Sequence, residues 1–229
     1  LVPGYYHRLD AEGRVTQSTC CENTATEQRM MAKLMIDSAV AWVRHHRIDS
    51  FRFDLMGHQP RAAMERLQAA VDAAAGRRIL LIGEGWDFGE VAGGARFVQA
   101  SQRGLPGSGI GSFSDRMRDA VRGGGCCDSG EALARGQGWA SGLHYAPNGR
   151  DAAPATAAEL ARSADLVRVG LAGTLAGYRL PTAGGGHRRL DTIDYAGQPA
   201  GFAAAPTEVV NYVENHDNLT LFDAFALKL

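Results

Sequence analysis

The hydrophobic pattern alternates between stretches with helical spacing and short apolar runs. Behind Thr24 and Glu27, which have the spacing of a capping box, apolar residues recur every three or four positions. They are Met31, Leu34, Met35, Ala39, Trp42 and Val43. The basic run 44–47 predicts the end of this helix. A second helix is predicted to begin at Pro60 and to end at Gly76.

Short β-rich runs separate these helices. Strands are predicted at 48–54, at 79–82, within 107–113 and at 208–213. The run 79–82 is continuously apolar, as in a strand that is buried on both faces of a parallel sheet. Two more helices are predicted, one from Ser114 to Val121 and one that begins at the capping box Thr156–Glu159 and runs through Val167. Residues 136–154 and 181–206 are predicted to be loops.

The alternation of helix and strand predicts βα units and a parallel sheet, so the fold class is α/β. The pattern alone is compatible with a (β/α)8 barrel and with a doubly wound sheet. In a barrel, the functional groups lie at the carboxyl ends of several strands.

Composition narrows the range of functions. The chain has 229 residues, of which 45% are hydrophobic and 21% charged, as in an ordinary globular protein. Its formal net charge of −1 provides no field for nucleic acid or for an anionic membrane. No apolar run is long enough to cross a bilayer. The chain begins without Met and ends within an apolar pattern, so we expect a segment that is cut at both ends.

The four cysteines form two adjacent pairs, Cys20-Cys21 and Cys126-Cys127. Zinc sites usually space their ligands further apart, so this adjacency argues against zinc. Adjacent cysteines also rarely bond to each other. Two interpretations therefore stay open, namely buried free thiols and a bridge between the two pairs.

Acidic residues follow three of the predicted strands. They are Asp54, Glu84 and Asp217. Arg52 lies two residues before Asp54, on the same face of the strand, and would keep that carboxylate ionised. Glu84 lies between two glycines and beside Trp86, where burial would favour its protonated form. A carboxylate nucleophile paired with a carboxylic acid is the requirement of glycoside hydrolysis.

Longer motifs around these acids resemble conserved regions of the α-amylase glycoside hydrolase family. The matching stretches are FRFDLMG at 51–57, GEGW at 83–86 and NYVENHDN at 211–218. They resemble the second, third and fourth conserved regions of that family. The residues LMG after Asp54 and GW after Glu84 are typical of its pullulanase branch. The stretches SDRMRDAVRGG at 114–124 and VPGYY at 2–6 are also typical of that branch.

The resemblance implies a role for each matching residue. Asp54 would be the nucleophile, Glu84 the general acid and base, and Asp217 the stabiliser of the transition state. Substrate contacts are implied for Arg52, Trp86, His216, Asn218, Asp115 and Arg118. The implied substrates are the α-1,6 branches of pullulan, amylopectin and related α-glucans.

The resemblance also implies a fold. The whole chain, 1–229, would be part of a catalytic (β/α)8 TIM barrel, containing strands about four to seven and truncated at both ends. The first conserved region of the family is missing. The chemistry would need no cofactor, and the sequence contains no metal site, although the full-length protein could bind structural Ca²⁺. By resemblance the source would be bacterial and the enzyme secreted or attached to the cell surface.

Several alternatives remain at this level. Gly83 and Gly85 suggest a dinucleotide-binding loop, but Phe88 occupies the place of the third glycine and Glu84 would repel a pyrophosphate. An isoamylase-type hydrolase or a branching transglycosylase of the same family would use the same acids. A non-catalytic α-glucan-binding module would bind the glucan in the same cleft but would not hydrolyse it.

Overall fold

The chain folds into two units, residues 1–113 and 114–229, which are described in turn. The computed structural model describes residue 2, residues 4–151 and residues 153–229. Pro3, which is part of the opening motif, lies outside the described residues. Within these described ranges, no helix is both long and apolar enough to span a membrane.

The first helix of the first unit, α1, spans Arg29–His46. It begins later than predicted, and its N-cap is Gln28, whose side chain makes no capping hydrogen bond. The predicted capping box is wrong, because the Glu27 carboxylate binds the Arg8 guanidinium through two hydrogen bonds of 2.9 Å. The basic residues at its end lie where the partial negative charge of a helix C-terminus favours them.

The second helix, α2, spans Arg61–Ala75 and packs against α1. Its predicted limits are confirmed. Pro60 is the N-cap, and Gly76 ends the helix in the left-handed conformation at a φ of 68°. Glycine suits this position because it has no Cβ to clash in that conformation.

Three parallel strands of the first unit lie in the order β1, β2, β3. They span Ser50–Phe53, Leu80–Gly83 and Gly111–Ser114. The chain order β1, α2, β2 is a βαβ unit, as predicted from the alternation of elements. The expectation that β2 is buried on both faces is wrong at its start, since Leu80 is 62% exposed while Leu81 is 2% exposed.

The core of the first unit lies between the sheet and the two helices. Its buried members come from α1, α2, the strands and the segments that join them. They are Ala39, Val43, Met56, Met64, Leu67, Val71, Ile79, Leu81, Ala100, Leu105 and Ile110. This core fixes the strands so that the carboxyl ends of β1 and β2 lie at one edge, with Phe53 opposite Gly83.

In its described residues, 114–151 and 153–229, the second unit contains three α-helices, two short hairpins and one further strand. The helices are α3 at Asp115–Arg122, α4 at Ala157–Leu171 and α5 at Leu221–Lys228. The hairpins pair β4, Arg179–Pro181, with β5, His187–Arg189, and β6, Asp194–Tyr195, with β7, Gln198–Pro199. Strand β8 spans Val209–Asn211.

Predictions for the second unit are partly confirmed. The Thr156 capping box is present, with Glu159 accepting from the Thr156 backbone N–H at 2.6 Å. Helix α3 ends at Arg122, close to the predicted end at Val121, and Gly123 is its C-cap. The prediction of a loop over 181–206 is wrong, because this segment contains paired strands of the two hairpins. Most of the glycines that suggested a loop lie in the turns that join these strands. The core of this unit consists of Val169, Leu180, Leu190, Ile193 and Ala200.

The predicted bridge between the two cysteine pairs is wrong, and the interpretation as buried free thiols is confirmed only in that one pair is free. Cys126 and Cys127 form a disulfide with each other, so no bridge joins the two pairs. Cys20 and Cys21 are free thiols, and both are exposed rather than buried. The pairs belong to different units, 1–113 and 114–229.

Gly57 is a place where the packing near β1 and β2 requires a glycine. Its backbone N–H donates to the Glu84 carbonyl at 2.8 Å, and a Cβ added there would overlap the Trp86 carbonyl. We predict that Gly57→Ala lowers the free energy of unfolding by about 1–3 kcal/mol, measured by urea denaturation. The control Gly184→Ala, where an added Cβ has no atom within 4 Å, should change it little. Equal stability of the two variants would contradict this account of the packing.

Candidate active site

One guanidinium joins the two acids at the carboxyl ends of β1 and β2. The Nη1 of Arg52 forms an ion pair with Asp54, and its Nη2 donates to Glu84 Oε1 at 2.8 Å. The same guanidinium lies over the Phe113 ring, 5.8 Å from the centroid. The sequence predicted the contact with Asp54 from its i, i+2 spacing. The structure adds the contact with Glu84, so both carboxylates bind the same side chain.

A strained turn supplies the second donor to Glu84. Leu55 has a positive φ of 45°, in the left-handed region that a leucine rarely adopts. In this conformation its backbone N–H donates to Glu84 Oε2 at 2.8 Å. Both oxygens of Glu84 therefore accept a hydrogen bond from the β1 side of the edge. Local strain of this kind is maintained only where the surroundings over-determine it, and functional sites are typical places for it.

The glycines on either side of Glu84 are explained by packing. A Cβ on Gly83 would lie 2.6 Å from the Phe53 carbonyl oxygen, and one on Gly85 would lie 2.7 Å from the Gln102 nitrogen. The Gly85 N–H also donates to Ser112 Oγ at 3.1 Å. The GEG sequence thus places Glu84 at a point where the backbones of neighbouring segments approach closely.

The two carboxylates differ in their access to solvent. The side chain of Asp54 is 68% exposed, whereas that of Glu84 is 7% exposed. Burial disfavours the charged form of a carboxyl group, while hydrogen-bond donors favour it. Glu84 experiences both effects. An exposed carboxylate beside a buried, hydrogen-bonded one is an arrangement that can divide the roles of nucleophile and acid.

A second polar cluster of the first unit is centred on Glu90, and the sequence did not predict it. The Glu90 carboxylate accepts from Arg8 Nη1 at 2.9 Å, from Asn23 Nδ2 at 2.9 Å and from Thr16 Oγ1 at 3.1 Å, and also from the Ser18 hydroxyl. Burial alone would raise the pKa of Glu90, but these donors hold it well below its usual range. Glu90 thereby fixes the loop of residues 16–23.

This loop is also joined to the turn that follows Asp54. Ser18 Oγ lies 3.3 Å from His58 Nε2, and the His58 carbonyl accepts from Arg8 Nη2 at 2.8 Å. His58 is buried, and its burial lowers the pKa of the imidazole. The Glu90 cluster, defined here as Arg8, Thr16, Ser18, Asn23, His58 and Glu90, therefore connects the loop to the candidate site.

The remaining predicted site residues that follow β8 lie together in the second unit. His216 and Asp217 are exposed, and His216 Nε2 lies 3.3 Å from Asp217 Oδ1. Asn218 Nδ2 donates to the Cys126 carbonyl at 3.0 Å. The function of these residues in substrate contact and transition-state stabilisation stays a prediction.

Two further predicted contacts, Asp115 and Arg118, lie on α3. Arg118 is 5% exposed, and its Nη1 donates to the Tyr212 hydroxyl at 2.8 Å. Burial would lower the pKa of Arg118, but the hydrogen bond and the charge of Asp119 raise it. Asp115 forms an ion pair with the buried Arg116. Direct contact of these two residues with substrate stays a prediction, while their contacts within the protein indicate support of α3 and β8.

Some functional groups had no signal in the sequence. The backbone N–H of Leu55 donates to Glu84 because Leu55 adopts a left-handed conformation. A leucine in the sequence does not predict that conformation. Glu90 lies 82 residues from its partner Arg8, so only the fold brings them together. Within residues 2, 4–151 and 153–229, His, Cys, Asp and Glu side chains form no group of three that could hold a metal ion.

Comparison with known proteins finds relatives that share one name. The chain is 47% identical over 233 residues to a pullulanase of Klebsiella aerogenes, covering 100% of the chain and 20% of that protein. It is 41% identical to pullulanase 1 of Arabidopsis thaliana, a chloroplastic protein, with coverage of 100% and 24%. A structure of Klebsiella pneumoniae pullulanase complexed with maltotriose matches with a TM-score of 0.91 and 46% identity. The match covers 99% of the present chain and 21% of the Klebsiella chain.

The chain corresponds to only part of each of these relatives. The chain spans about a fifth to a quarter of the length of the curated relatives. No protein-family model matches it.

The Glu90 cluster predicts a stability that depends on pH. Because the folded pKa of Glu90 is lowered, the folded state binds fewer protons than the unfolded state, and the stabilisation is present above the unfolded pKa of about 4.3. Glu90→Gln should lower the free energy of unfolding by about 1–2 kcal/mol near pH 7. The difference from the unchanged protein should shrink as the pH falls below about 4, measured by urea denaturation across pH.

The matched control is Glu12→Gln, at an exposed residue whose carboxylate binds Arg14 at 3.0 Å. It should have little effect at any pH, since exposed ion pairs contribute little. An effect of Glu90→Gln that is constant from pH 7 to pH 3 would count against the ionised role of Glu90.

Proposed function

Because the chain is, over its whole length, a homologue of one segment of the pullulanases, we propose that the protein is a debranching glycoside hydrolase. It hydrolyses α-1,6-glucosidic linkages in pullulan, amylopectin or related α-glucans and retains the anomeric configuration. The observation that carries this proposal is the Arg52 guanidinium shared by Asp54 and Glu84. Two carboxylates held close together suit a retaining mechanism, in which the groups lie about 5–5.5 Å apart.

In the first step Asp54 attacks the anomeric carbon. Its exposure leaves the carboxylate accessible to a sugar, and the ion pair with Arg52 orients it. The bond to the leaving glycosidic oxygen breaks as a glucosyl ester forms on Asp54. Glu84 gives its proton to that oxygen. Each carboxylate oxygen can accept more than one hydrogen bond, so Glu84 can reach the glycosidic oxygen while Leu55 still holds it.

In the second step Glu84 acts as a base. It takes a proton from water, which attacks the anomeric carbon and releases Asp54 with the configuration retained. Asp217 is the proposed third carboxylate, which stabilises the positive charge that develops on the sugar. Asp217 lies in the segment between β8 and α5, and in a (β/α)8 barrel the segments that follow strands carry the functional groups, which supports its role. The reaction requires no cofactor, because carboxyl groups supply both steps.

The proposed fold of the catalytic domain is a (β/α)8 barrel of which this chain forms a part. The parallel order of β1, β2 and β3 and the βαβ unit around α2 support this proposal, as does the location of the acids at strand ends. Trp86 and His216 are proposed to contact the glucan, Trp86 by stacking on a sugar ring. The maltotriose bound by the Klebsiella pneumoniae enzyme suggests maltotriosyl units as the substrate class.

Substitution of the two acids separates their roles. Asp54→Asn and Glu84→Gln should each lower kcat/KM for pullulan by about 10³–10⁵-fold. The assay measures the reducing ends released from pullulan by the whole protein that the gene encodes. With α-maltotriosyl fluoride, whose leaving group needs no proton, formation of the glucosyl ester should be largely restored in Glu84→Gln but not in Asp54→Asn.

The control for these variants is Asp87→Asn, at an exposed acid three residues after Glu84 that caps the Gly93 N–H. It should keep its activity. Maltotriose should be the product released from pullulan. Full activity of Asp54→Asn, or release of a product with inverted configuration, would reject the proposed mechanism.

Because one guanidinium binds both carboxylates, we predict that a lysine at position 52 cannot replace Arg52 in catalysis. Lysine retains the charge of Arg52 but lacks the planar fork that binds two carboxylates at once. Arg52→Lys should therefore lower kcat by about 100-fold in pullulan hydrolysis. The matched control is Arg135→Lys, at an exposed arginine that pairs with Glu131 at 3.2 Å. Equal activity of both variants would show that the fork is not needed.

A further inference from the structure

Asp119 on α3 connects a short hairpin of the second unit to Arg118. Its Oδ1 accepts from Arg118 Nε at 2.6 Å, and its Oδ2 accepts from the hydroxyl of Tyr195, on β6, at 2.6 Å. The side chain of Asp119 is 19% exposed and that of Arg118 is 6% exposed. Hydrogen bonds to a charged group are stronger than neutral ones, and a low local dielectric strengthens them further. The mechanism proposed above uses neither Asp119 nor Tyr195.

Arg118 extends this connection to the residues that follow β8. Its Nη1 donates to the Tyr212 hydroxyl at 2.8 Å, so one guanidinium binds Asp119 through Nε and Tyr212 through Nη1. Together with the bond from Tyr195 to Asp119, three hydrogen bonds in series connect the hairpin to Tyr212. Because the guanidinium is planar and rigid, the directions of its two bonds are fixed relative to each other. The position of the Tyr212 hydroxyl therefore depends on where Asp119 holds Arg118.

The hairpin end of this series is fixed by further contacts. The Arg116 guanidinium carbon lies 4.6 Å from the centroid of the Tyr195 ring, and Arg116 Nη2 donates to the Pro199 carbonyl of β7 at 3.1 Å. Arg116 is 1% exposed. Burial raises the pKa of the Tyr195 hydroxyl, and the charges of Asp115 and Asp119 raise it further. The hydroxyl thus keeps its proton at neutral pH and remains a donor to Asp119.

The other end of the series is the beginning of an exposed segment, residues 212–218. Its exposed members are Glu214, His216 and Asp217. Burial therefore contributes little to the position of the residues between its ends. Arg118 holds the first residue, Tyr212, and the side chain of the last residue, Asn218, donates to the Cys126 carbonyl at 3.0 Å. The contact with Arg118 thus fixes the start of the segment that carries the proposed third carboxylate.

We propose that Asp119 and Tyr195 are positioning residues, which hold the segment 212–218 so that Asp217 is oriented for glycoside hydrolysis. The catalytic part of this inference rests on the proposed function. Neither residue touches the substrate, because both act through Arg118 and Tyr212. A displacement of Asp217 by about 1 Å would weaken its interaction with the charge that develops on the sugar in the transition state. Binding of the uncharged glucan in the ground state would change much less.

The test substitutes each residue conservatively in the whole protein that the gene encodes. Tyr195→Phe removes only the hydroxyl that donates to Asp119, and Asp119→Asn removes the charge at nearly constant shape. Each should lower kcat for pullulan by about 10–100-fold and change KM by less than about threefold. The matched control is Tyr178→Phe, at a tyrosine of the same unit that is 53% exposed, and it should keep its kcat.

The substrate α-maltotriosyl fluoride distinguishes this defect from loss of the general acid. Tyr195→Phe and Asp119→Asn should not recover with it, because Asp217 stabilises charge on the sugar whatever the leaving group. An equal fall of kcat in Tyr178→Phe, a higher KM with an unchanged kcat, or recovery with the fluoride would each overturn the proposal.

Tyr212→Phe tests whether the hydrogen bonds act in series. Removal of either end breaks the same connection, so the Tyr195→Phe/Tyr212→Phe double variant should have a kcat within about twofold of the slower single variant. Effects that multiply would show independent roles and would overturn the proposal.

Hydrogen exchange measured by mass spectrometry tests the position of the segment without the reaction. In Tyr195→Phe the backbone amides of 212–218 should exchange about tenfold faster, as expected for the loss of one hydrogen bond to a charged group. Peptides of α2 should exchange at an unchanged rate. Unchanged exchange in 212–218, or an equal increase in α2, would overturn the proposal.

The two measurements separate this proposal from the proposed function. Faster exchange in 212–218 of Tyr195→Phe, when the unchanged protein hydrolyses no glucan, would support the positioning of the segment and reject the proposed reaction. Hydrolysis of pullulan at the same rate by Tyr195→Phe and by the unchanged protein would do the reverse.

Discussion

The contact of one guanidinium with two carboxylates is the constraint on which the candidate site depends. Arg52 extends from β1 and binds Asp54 on its own strand end and Glu84 from the neighbouring strand. A bridge of this kind requires that β1 and β2 be parallel and that their ends be in register, with Phe53 opposite Gly83. Helix α2 connects these strands, and the buried core beneath them maintains the register. The fold thus determines the position of the site through one side chain.

The rest of the site explains how two similar groups can differ in chemistry. Glu84 is buried and accepts from Leu55 and Arg52, whereas Asp54 is exposed. The close approach of backbones around Gly83 and Gly85 removes the space that solvent would need near Glu84. Removal of Arg52 would leave a buried carboxylate with fewer partners, which is costly. The Glu90 cluster plays a separate part, because it fixes the loop that carries the two free thiols.

Much of the fold could be predicted from local patterns. The limits of α2 followed from Pro60 and Gly76, and the capping box of α4 followed from Thr156 and Glu159. The start of α1 could not be predicted, since Glu27 serves a tertiary ion pair with Arg8 rather than a helix cap. The two hairpins between residues 179 and 199 were missed because their strands have only two or three residues and no alternating pattern.

The candidate site was predictable to a similar extent. Spacing along β1 placed Arg52 beside Asp54, and the motifs identified Glu84. The bond between Arg52 and Glu84 depends on the pairing of two strands, and the role of Leu55 depends on a backbone conformation, so neither has a local signal. The disulfide between Cys126 and Cys127 is an exception to the expectation that adjacent cysteines rarely bond to each other.

The central claim is that Asp54 forms a covalent bond to the sugar while Arg52 holds it beside Glu84. The most direct measurement is mass spectrometry of the peptide containing Asp54 after reaction with a 5-fluoro-α-glucosyl fluoride, a reagent that slows hydrolysis of the ester. The account predicts a glycosyl adduct on Asp54 that disappears as the enzyme turns over. An adduct on any other residue, or an active enzyme that is never labelled, would contradict it.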